Sequence, residues 1–539
     1  MALLLEDIVK SVELLLKLIS KKSQEQSYVD PNLDPVLLVP GIAGSILNSV
    51  DDKTGKKERI WVRILAADHE FREKLWSKFD PATGRAVTMD PDTHIEVPED
   101  RYGLYAIDSL DPDMVIGGDC VYYFHDMIVE MLKWGYQEGT TLFGFGYDFR
   151  QSNRFQGTLE RLAAKLESVY IASGGRKINI ITHSMGGILM KCFMSLHVDI
   201  FEKYVKNWIA IAAPFQGAPG YIGSALLNGA SFVEGWEQKF FISKWSMQQL
   251  LLECPSIYEL MASLDFEWEH VPLLQIWRQK YDSDGNSTVK LESFPPVEAV
   301  SVFMEALSVN KINYEGADIS LNFDVEILKW ANKTRELLCC AEVPDHIKFY
   351  NIYGTNYETP HCVCYGSEVA PVSDLRQLPT LQAKYINVDG DGTVPMESAK
   401  ADRLRAEARI GVHADHRGII CDHHVFRILK HWLKADHDPF YNPINDYVIL
   451  PTSLDMECHK IKGLQVTSLK EEWEIIGDDQ NLEEEGKPLV GSVCVSCTGG
   501  DESLQEEACA TIIVKDHQGG KKHVELNAVS ISTKHKEFV

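Results

Sequence analysis

The sequence has no long apolar run and is short of positive charge, and each absence argues against a class of function. No stretch reaches the roughly 18 consecutive apolar residues that a membrane-spanning helix needs, so none is expected. Lysine and arginine total 53 against 79 aspartate and glutamate, which gives a net charge of −26. This balance argues against nucleic-acid binding and against attraction to anionic lipid by charge. Any lipid contact must come from local apolar or basic patches.

Targeting signals and a disulfide framework are also missing. Glu6 and Asp7 stand where a secretory signal needs positive charge, and no small-residue cleavage site follows. The 12 cysteines are scattered. Cys494 and Cys497 have the spacing of half a metal site, but plain thiols are the simpler interpretation because no second pair follows. These features predict free thiols in a reducing compartment and therefore a cytoplasmic protein.

One stretch predicts a buried strand, a sharp turn and a helix. Residues 178–181 are rich in isoleucine, as a strand covered on both faces should be. Ser184 follows at the apex, and Gly186 and Gly187 allow close packing where the helix begins. This is the layout of a nucleophile elbow, in which a strained turn presents a serine hydroxyl. Thr182 stands where the pattern G-x-S-x-G has its first glycine, so a Ser-Gly turn without catalysis is the alternative.

The surrounding chain alternates strands with helices, which predicts an α/β fold with a parallel sheet of βαβ units. Val36 to Val39 is a short buried strand, and the Pro-Gly loop after it has free backbone N–H groups. In an α/β-hydrolase sheet such a loop supplies one oxyanion donor, and the residue after the nucleophile supplies the other. Ile42 and Met185 are therefore the candidate donors.

A serine nucleophile needs a base, and the base needs a group that orients it. In this fold class the chain order is serine, acid, histidine. Asp391, in a glycine-flanked loop after an expected buried strand, is the predicted acid, and Asp389 is its competitor. His416, at a loop apex, is the predicted base in preference to His413.

The same segment admits a different interpretation, a metal cluster. Six residues of ligand type lie close together in it: His413, Asp415, His416, Asp422, His423 and His424. A compact motif such as H-E-x-x-H is missing, so the sequence predicts a site without metal.

Five motifs in order resemble the lecithin:cholesterol acyltransferase family. They lie at residues 39–45, 146–150, 182–187, 390–395 and 416–418. The resemblance covers about residues 32–450 and is greatest to a plant intracellular branch of phospholipases, where it extends into both ends of the chain. Secreted members carry a disulfide in the aromatic segment after the first strand. Residues 46–119 contain no cysteine here, which supports an intracellular chain.

The resemblance implies an α/β-hydrolase with a cap and a lid that attacks an ester bond of a glycerophospholipid through an acyl-serine. By position, Ser184 takes the role of nucleophile, Asp391 that of acid and His416 that of base. Ile42 and Met185 match the oxyanion donors. No cofactor and no metal are implied.

The expected organisation has three parts. The first is an amphipathic helix that lies on a membrane or docks on protein, the second a catalytic domain, and the third a C-terminal extension. The catalytic domain is expected to contain a membrane-contacting subdomain, and also a lid and cap whose second part is helical. The alternative to membrane contact is that the aromatic residues of the subdomain pack inside it. The alternative to a lid is a cap that does not move. The extension is expected to hold an acidic linker and a β-hairpin. The amphipathic helix is expected in residues 1–30, the catalytic domain in 31–440 and the C-terminal extension in 441–539. Within the catalytic domain, the membrane-contacting subdomain spans 50–100, and the lid and cap span 217–345, with the helical part at 265–345. Within the extension, the acidic linker spans 469–489 and the β-hairpin 507–534.

The predicted function is a serine phospholipase A that hydrolyses phosphatidylcholine-like lipids at a membrane surface, with peripheral contact to intracellular membranes. An acyltransferase, in which a sterol or another alcohol replaces water, uses the same triad and is the close alternative. A non-catalytic lipid-binding protein is a further alternative, against which the triad order argues. Neither nucleic acid nor a membrane span is expected.

Overall fold

The computed structural model divides the chain into two units, Met1–Tyr441 and Asn442–Val539. It describes residues 29–62, 74–112, 121–230, 244–270, 273–281, 287–314, 316–435, 465–475, 489–498, 504–517 and 521–535. The helix expected in residues 1–30 lies outside these residues, except for positions 29 and 30. None of the described helices is both long enough and apolar enough to cross a bilayer.

A six-stranded parallel sheet forms the centre of the first unit. Its inner strands are mostly buried because helices cover both faces, as the α/β prediction required, whereas the edge strand Ala406–Val412 is only partly buried. The α/β-hydrolase class is thereby confirmed. From one edge to the other the strands are Ala406–Val412, Lys348–Gly354, Val205–Ile211, Ile178–His183, Val36–Val39 and Leu142–Gly144.

The helices of this layer alternate with the strands along the chain. They are His125–Lys133, Gln156–Ala172, Met185–Leu196, Val198–Tyr204, Met396–Lys400 and His423–Trp432. The helix after the elbow buries its first ten residues, Met185 to Met194, so it is a core element rather than a surface helix. The last helix begins at an Asp422 cap, whose side chain accepts the N–H groups of His424 and Val425.

A small β subdomain follows the first strand. A three-stranded antiparallel sheet is formed by Leu47–Asp51, Lys57–Trp61 and Thr93–Glu96, and a hairpin by Ser77–Asp80 and Arg85–Thr88. The turn Asp100–Gly103 comes after it. Trp61, Trp76 and Phe79, which were candidates for membrane contact, are 1%, 2% and 5% exposed. These three aromatics therefore pack inside the protein.

The cap contains strands as well as helices. Its helices are Pro219–Asn228, Lys244–Leu251, Pro255–Glu259, Pro296–Ala306 and Val325–Cys339. Its mixed sheet has the order Ser287–Phe294, Leu274–Tyr281, Tyr357–Tyr365 and Lys384–Gly390, and Lys311–Tyr314 pairs with Ala317–Ser320. The prediction of a helical insertion over 265–345 is therefore wrong in part. Leu274–Tyr281 pairs along its whole length with its hairpin partner Ser287–Phe294. Its first three residues also pair with residues about ninety positions later, which local patterning cannot reveal.

The strand that leads to the predicted acid lies in the cap sheet and not in the central sheet. Lys384–Gly390 pairs antiparallel with Tyr357–Tyr365, and its first four residues are exposed. The expectation of a buried strand before Asp391 is therefore wrong. The apolar residues Tyr385 and Ile386 suggested burial, but this is an edge strand of a small sheet and lacks a covering layer at that end.

The second unit is an antiparallel sheet of four strands in chain order. They are Gln465–Ile475, Leu489–Thr498, Leu504–His517 and Lys521–His535. The last two pair with each other where the β-hairpin was expected. Residues 469–475, the start of the expected acidic linker, belong to the first strand. The linker residues 476–488 lie outside the described residues.

Candidate active site

Ser184 lies at the apex between the strand Ile178–His183 and the helix Met185–Leu196. Its φ of 54° and ψ of −127° are strained for a residue with a side chain, as an elbow requires. The two glycines after it are needed for close approach. A Cβ on Gly186 would lie 2.5 Å from the Pro40 carbonyl oxygen, and one on Gly187 would lie 2.5 Å from the Ala213 Cβ.

Thr182, the departure from the elbow pattern, is fully buried and hydrogen-bonded. Its Oγ1 accepts from the Trp208 indole N–H at 3.0 Å. The indole belongs to the neighbouring strand Val205–Ile211, so the hydroxyl that a glycine would lack has a partner in the sheet. The larger side chain is thereby accommodated without an unsatisfied polar group.

The structure brings the three predicted catalytic side chains together. The Ser184 Oγ is 2.9 Å from His416 Nε2, and His416 Nδ1 is 2.7 Å from Asp391 Oδ2. Both distances are hydrogen bonds, and they connect elements 232 and 25 residues apart in sequence. With Nδ1–H donating to the carboxylate, Nε2 is left to accept the serine proton.

Asp391 is held by its own loop. Its Oδ1 accepts the backbone N–H groups of Thr393 and Val394 at 3.0 and 2.7 Å, and the side chain is 1% exposed. Its backbone carbonyl accepts the His416 N–H at 2.8 Å. These bonds fix the carboxylate in the orientation that the imidazole needs, without a second charged group.

The competing residues lie elsewhere. Asp389 accepts hydrogen bonds from the Thr355 hydroxyl and the Asn356 N–H, so it closes the turn before the strand Tyr357–Tyr365. The His413 ring stacks on Tyr357 with centroids 5.0 Å apart. Neither one joins the hydrogen-bonded chain at Ser184.

The residues proposed as a metal cluster are divided among other tasks. Asp415 accepts the N–H groups of Arg417 and Gly418, Asp422 caps a helix, and His416 contacts Ser184. Within the part of the chain that the structure describes, no group of three or more His, Cys, Asp and Glu side chains is arranged to hold a metal ion.

The two candidate oxyanion donors flank the serine. Met185 begins the helix, so its N–H has no partner within it, and the Ile42 N–H makes no hydrogen bond among the described residues. The loop of Ile42 lies against the nucleophile, since a Cβ on Gly41 would come within 2.6 Å of the Ser184 Cβ. Free N–H groups at this position can stabilise a developing oxyanion.

Sequence patterns did not reveal a second hydrogen-bonded chain, which runs through His183. The Gly41 N–H donates to the Tyr123 hydroxyl at 2.7 Å, and that hydroxyl is 2.6 Å from His183 Nδ1. His183 Nε2 is 2.9 Å from the His416 carbonyl oxygen. The position of His183 beside Ser184 was a signal that could have been used. Tyr123 lies 60 residues away and gave none.

These contacts define the protonation of His183. Because a carbonyl only accepts, Nε2 must carry the proton, and the neutral ring then accepts at Nδ1 from the Tyr123 hydroxyl. Burial and the nearby His416 lower the pKa of His183 well below its usual value, so the neutral ring is the stable form. The chain thereby connects the oxyanion loop to the backbone of the predicted base.

Comparison with known proteins settles the family. The family model described as lecithin:cholesterol acyltransferase matches residues 58–415. The chain belongs to this family. It is 61% identical to lecithin-cholesterol acyltransferase-like 4 of Arabidopsis thaliana over 99% of both chains. It is 50% identical to the phospholipase A(1) LCAT3 of the same plant, over 75% of this chain and 91% of the relative. The resemblance predicted from five motifs is therefore confirmed.

A more distant relative is named for two activities. The human lysosomal phospholipase A and acyltransferase is 26% identical over 68% of this chain and 80% of its own length. The relatives of this chain are thus named both for hydrolysis of phospholipids and for transfer of acyl groups.

Proposed function

We propose that this protein is a serine phospholipase A that hydrolyses an acyl ester of glycerophospholipids such as phosphatidylcholine. The observation that carries the proposal is the chain from Ser184 through His416 to Asp391, with both hydrogen bonds formed at an elbow serine. The name of the 50% identical relative, a phospholipase A(1), supports the substrate class.

The proposed mechanism follows from this geometry. His416 Nε2 takes the Ser184 proton as Oγ attacks the ester carbonyl, and Asp391 stabilises the imidazolium through Nδ1–H. The N–H groups of Ile42 and Met185 hold the tetrahedral oxyanion. When this intermediate collapses, the lysophospholipid leaves with the proton from His416. Water, activated by the same ring, then releases the fatty acid from the acyl-serine.

Acyl transfer is the second candidate, because the human relative is named as an acyltransferase. It differs only in the molecule that attacks the acyl-serine. Vesicles that contain a sterol or a long-chain alcohol would divide the acyl group between water and the alcohol. Acyl ester as the main product would replace the hydrolase proposal, and free fatty acid would support it. The lipid-binding alternative requires that no ester is cleaved under either condition.

The test is hydrolysis of phosphatidylcholine vesicles in EDTA by the wild type, Ser184→Ala and Ser168→Ala. Ser168 is an exposed helix residue whose hydroxyl bonds only to the Lys165 carbonyl, so it controls for loss of a serine hydroxyl. We expect activity in EDTA, full activity in the control, and a loss of at least about 10³-fold in Ser184→Ala. Activity lost to EDTA would contradict the serine mechanism and favour a metal.

We also propose that the protein is cytoplasmic and contacts intracellular membranes peripherally. The support is that seven cysteines of the first unit, at positions 192, 254, 339, 340, 362, 364 and 421, are free thiols. Cell fractionation with a carbonate wash tests this. Recovery in the lumen of an organelle would contradict it.

A further inference from the structure

A polar cavity lies behind the nucleophile helix Met185–Leu196, away from the triad. The side chains that line it include Lys191, Glu259, Arg335, Cys339 and Arg403. They come from the helix Met185–Leu196, from cap segments and from the loop after Met396–Lys400. None of the five predicted site residues lines it. The proposed mechanism uses none of these groups.

The lysine in this cavity is buried and forms no ion pair within 4 Å among the described residues, although the Asp402 charge attracts it. Lys191 is 2% exposed, and its ammonium donates to the Asp402 backbone carbonyl at 2.7 Å and lies 5.5 Å from the Phe215 ring centroid. Two of its three N–H donors make no hydrogen bond to described residues. Burial lowers the pKa of Lys191 to about 8, so the group is still mostly charged at pH 7. A buried charge of this kind is costly unless a partner compensates it.

Neither arginine forms an ion pair within 4 Å among the described residues, although the charges of Glu259 and Asp265 attract Arg335. Arg335, which is 9% exposed, donates to the Asn332 side chain and to the carbonyls of Tyr258 and Met261. The exposed Arg403 donates to the Cys339 sulfur at 3.4 Å and makes a long contact of 3.5 Å with the Asp265 carbonyl. Its guanidinium is therefore available for a two-point contact with an anion.

The one carboxylate among the lining side chains is hydrogen-bonded to neutral donors, although its charge attracts Arg335. Glu259 Oε1 accepts from the hydroxyls of Ser152 and Thr334, and Oε2 accepts from the backbone and side-chain amides of Asn153. Its oxygens are thus occupied by neutral donors. Asp402, next to Arg403, directs its carboxylate to Arg409 and Asn351. Three cations and one anion leave the cavity with a net positive charge.

We propose that this cavity binds a small inorganic anion that bridges Lys191, Arg335 and Arg403. The enclosed space of about 20 Å³ is small, which favours an inorganic anion such as chloride or a partly seated phosphate over a bulky organic anion. The bound anion connects the helix Met185–Leu196, the cap helix Val325–Cys339 and the loop after Met396–Lys400. Binding therefore stabilises the cap on the central layer. The site does not depend on the proposed hydrolase function.

The test compares melting temperatures in sodium chloride, sodium phosphate and sodium gluconate at equal ionic strength. Gluconate is the bulky reference anion. Wild type, Lys191→Met, Arg403→Gln and Arg405→Gln are measured together. Arg405 lies two residues from Arg403 and is paired with Asp345, so it is the matched control. Phosphate also stabilises proteins non-specifically, and that part is equal in all four proteins.

We expect chloride or phosphate to raise the melting temperature of the wild type and of Arg405→Gln by a few degrees more than that of Arg403→Gln or Lys191→Met. A shift with one of the two anions supports the site and identifies the anion. If Lys191→Met does not fold, the comparison of Arg403→Gln with Arg405→Gln decides. Equal shifts in all the folded proteins, or no shift in the wild type, would overturn the proposal.

A second readout is alkylation of Cys339 followed by peptide mapping. Cys339 lines the cavity, and the exposed Cys421 is an internal reference in the same molecule. Anion binding slows alkylation of Cys339 severalfold and leaves Cys421 unchanged. An equal rate for Cys339 with chloride, phosphate or gluconate would contradict occupancy of the cavity.

Discussion

Asp391 and Asp389 are two residues apart and have different surroundings. Both follow the strand Lys384–Gly390 or lie within it, and the sequence alone left them as alternatives. The Asp391 carboxylate contacts His416, whereas Asp389 accepts from Thr355 and Asn356 at the start of the paired strand. Asp391 thus occupies the proposed catalytic position, whereas Asp389 closes a turn.

This difference predicts unequal effects of removing the two charges. We expect Asp391→Asn to lower kcat about 10³-fold to 10⁴-fold, because the imidazole loses the partner that sets its tautomer. We expect Asp389→Asn to change kcat by less than about 10-fold, since the amide oxygen can still accept one of its hydrogen bonds. Steady-state kinetics on a soluble short-chain ester measure both. A larger loss in Asp389→Asn would exchange the two roles.

The network through His183 predicts a positioning effect of Tyr123. Replacing Tyr123 with Phe leaves the Gly41 N–H and His183 Nδ1 without their shared partner. An unsatisfied buried polar group costs about 1–3 kcal/mol, so we expect kcat to fall about 10-fold to 100-fold with KM nearly unchanged. Such a split indicates misplacement of the oxyanion loop and of His416 rather than weaker lipid binding.

The control for this prediction is Tyr122→Phe, since the Tyr122 ring stacks on His125. Thermal melting of both variants separates positioning from loss of fold. An unchanged kcat in Tyr123→Phe would contradict the network's role, as would an equal fall in both variants.

Residue patterns predicted the site better than its supports. Ser184, His416 and Asp391 carry local signals, namely glycines at a turn and an ordered series of motifs. Tyr123 and Trp208 carry none, because their contacts to His183 and Thr182 exist only after the strands pair. Lys191 lies in an apolar helix, and its place in a cluster of cations is visible only from the segments that the fold brings around it.

At the scale of elements, the strands predicted at residues 36–39 and 178–181 lie in the central sheet, whereas its edge strand Ala406–Val412 was not predicted. Val36–Val39 is apolar throughout, and Ile178–His183 is buried at every position, because both faces of a parallel sheet are covered. The cap strands are mixed in character. Ser287–Phe294 is exposed over its first four residues and pairs only with its hairpin partner Leu274–Tyr281. Short-range periodicity does not separate such strands from loops.

The hairpin of the β subdomain docks on the cap through a buried carboxylate. The Glu253 Oε2 accepts the Phe79 N–H at 2.9 Å, and the Trp76 indole donates to the Gln249 carbonyl at 3.2 Å. Burial raises the pKa of Glu253 to about 7. Ionisation of Glu253 therefore costs free energy in the folded state that it does not cost in the unfolded state.

The sign of the pH dependence follows. Between the ordinary value of 4.5 and about 7, the folded state binds more protons at Glu253 than the unfolded state does. This contribution to the free energy of unfolding is full below that window, falls as pH rises through it, and stays at its minimum above it. Glu253→Gln keeps the acceptor and removes the charge. We expect a gain of up to about 3 kcal/mol at pH 8 and little gain at pH 4.5.

Urea unfolding at both pH values measures this gain. Glu305→Gln on the exposed face of the helix Pro296–Ala306 is the matched control, and its stability should change by less than about 0.5 kcal/mol at both pH values. A gain for Glu253→Gln that is equal at the two pH values would show that the carboxylate does not titrate in the window.

At the scale of the whole molecule, the family likeness and the division into units agree in extent. The family model ends at residue 415, inside the unit that ends at Tyr441. The phospholipase A(1) relative matches 75% of this chain but 91% of its own length. Lecithin-cholesterol acyltransferase-like 4 matches 99% of both chains. The likeness to lecithin-cholesterol acyltransferase-like 4 thus extends over the second unit, which the family model does not cover.

These extents predict that the first unit works alone. Every residue of the proposed triad and oxyanion site lies before residue 441, and the last helix of this unit, His423–Trp432, buries Val425 and Leu429. We expect a chain ending after Tyr441 to hydrolyse a soluble short-chain ester within about threefold of the full chain, because a domain with its own core folds by itself.

The matched control is a chain ending after Cys421, which lacks that last helix. We expect it to be inactive, because the apolar surface that the helix covers becomes exposed to water. The two truncations differ by only twenty residues, so a common effect of shortening the chain would lower both activities alike. Activity on vesicles should be compared with activity on the soluble ester in the longer truncation. A loss on vesicles alone would assign the residues after 441 to lipid contact, and a loss on both substrates would show that they complete the catalytic unit.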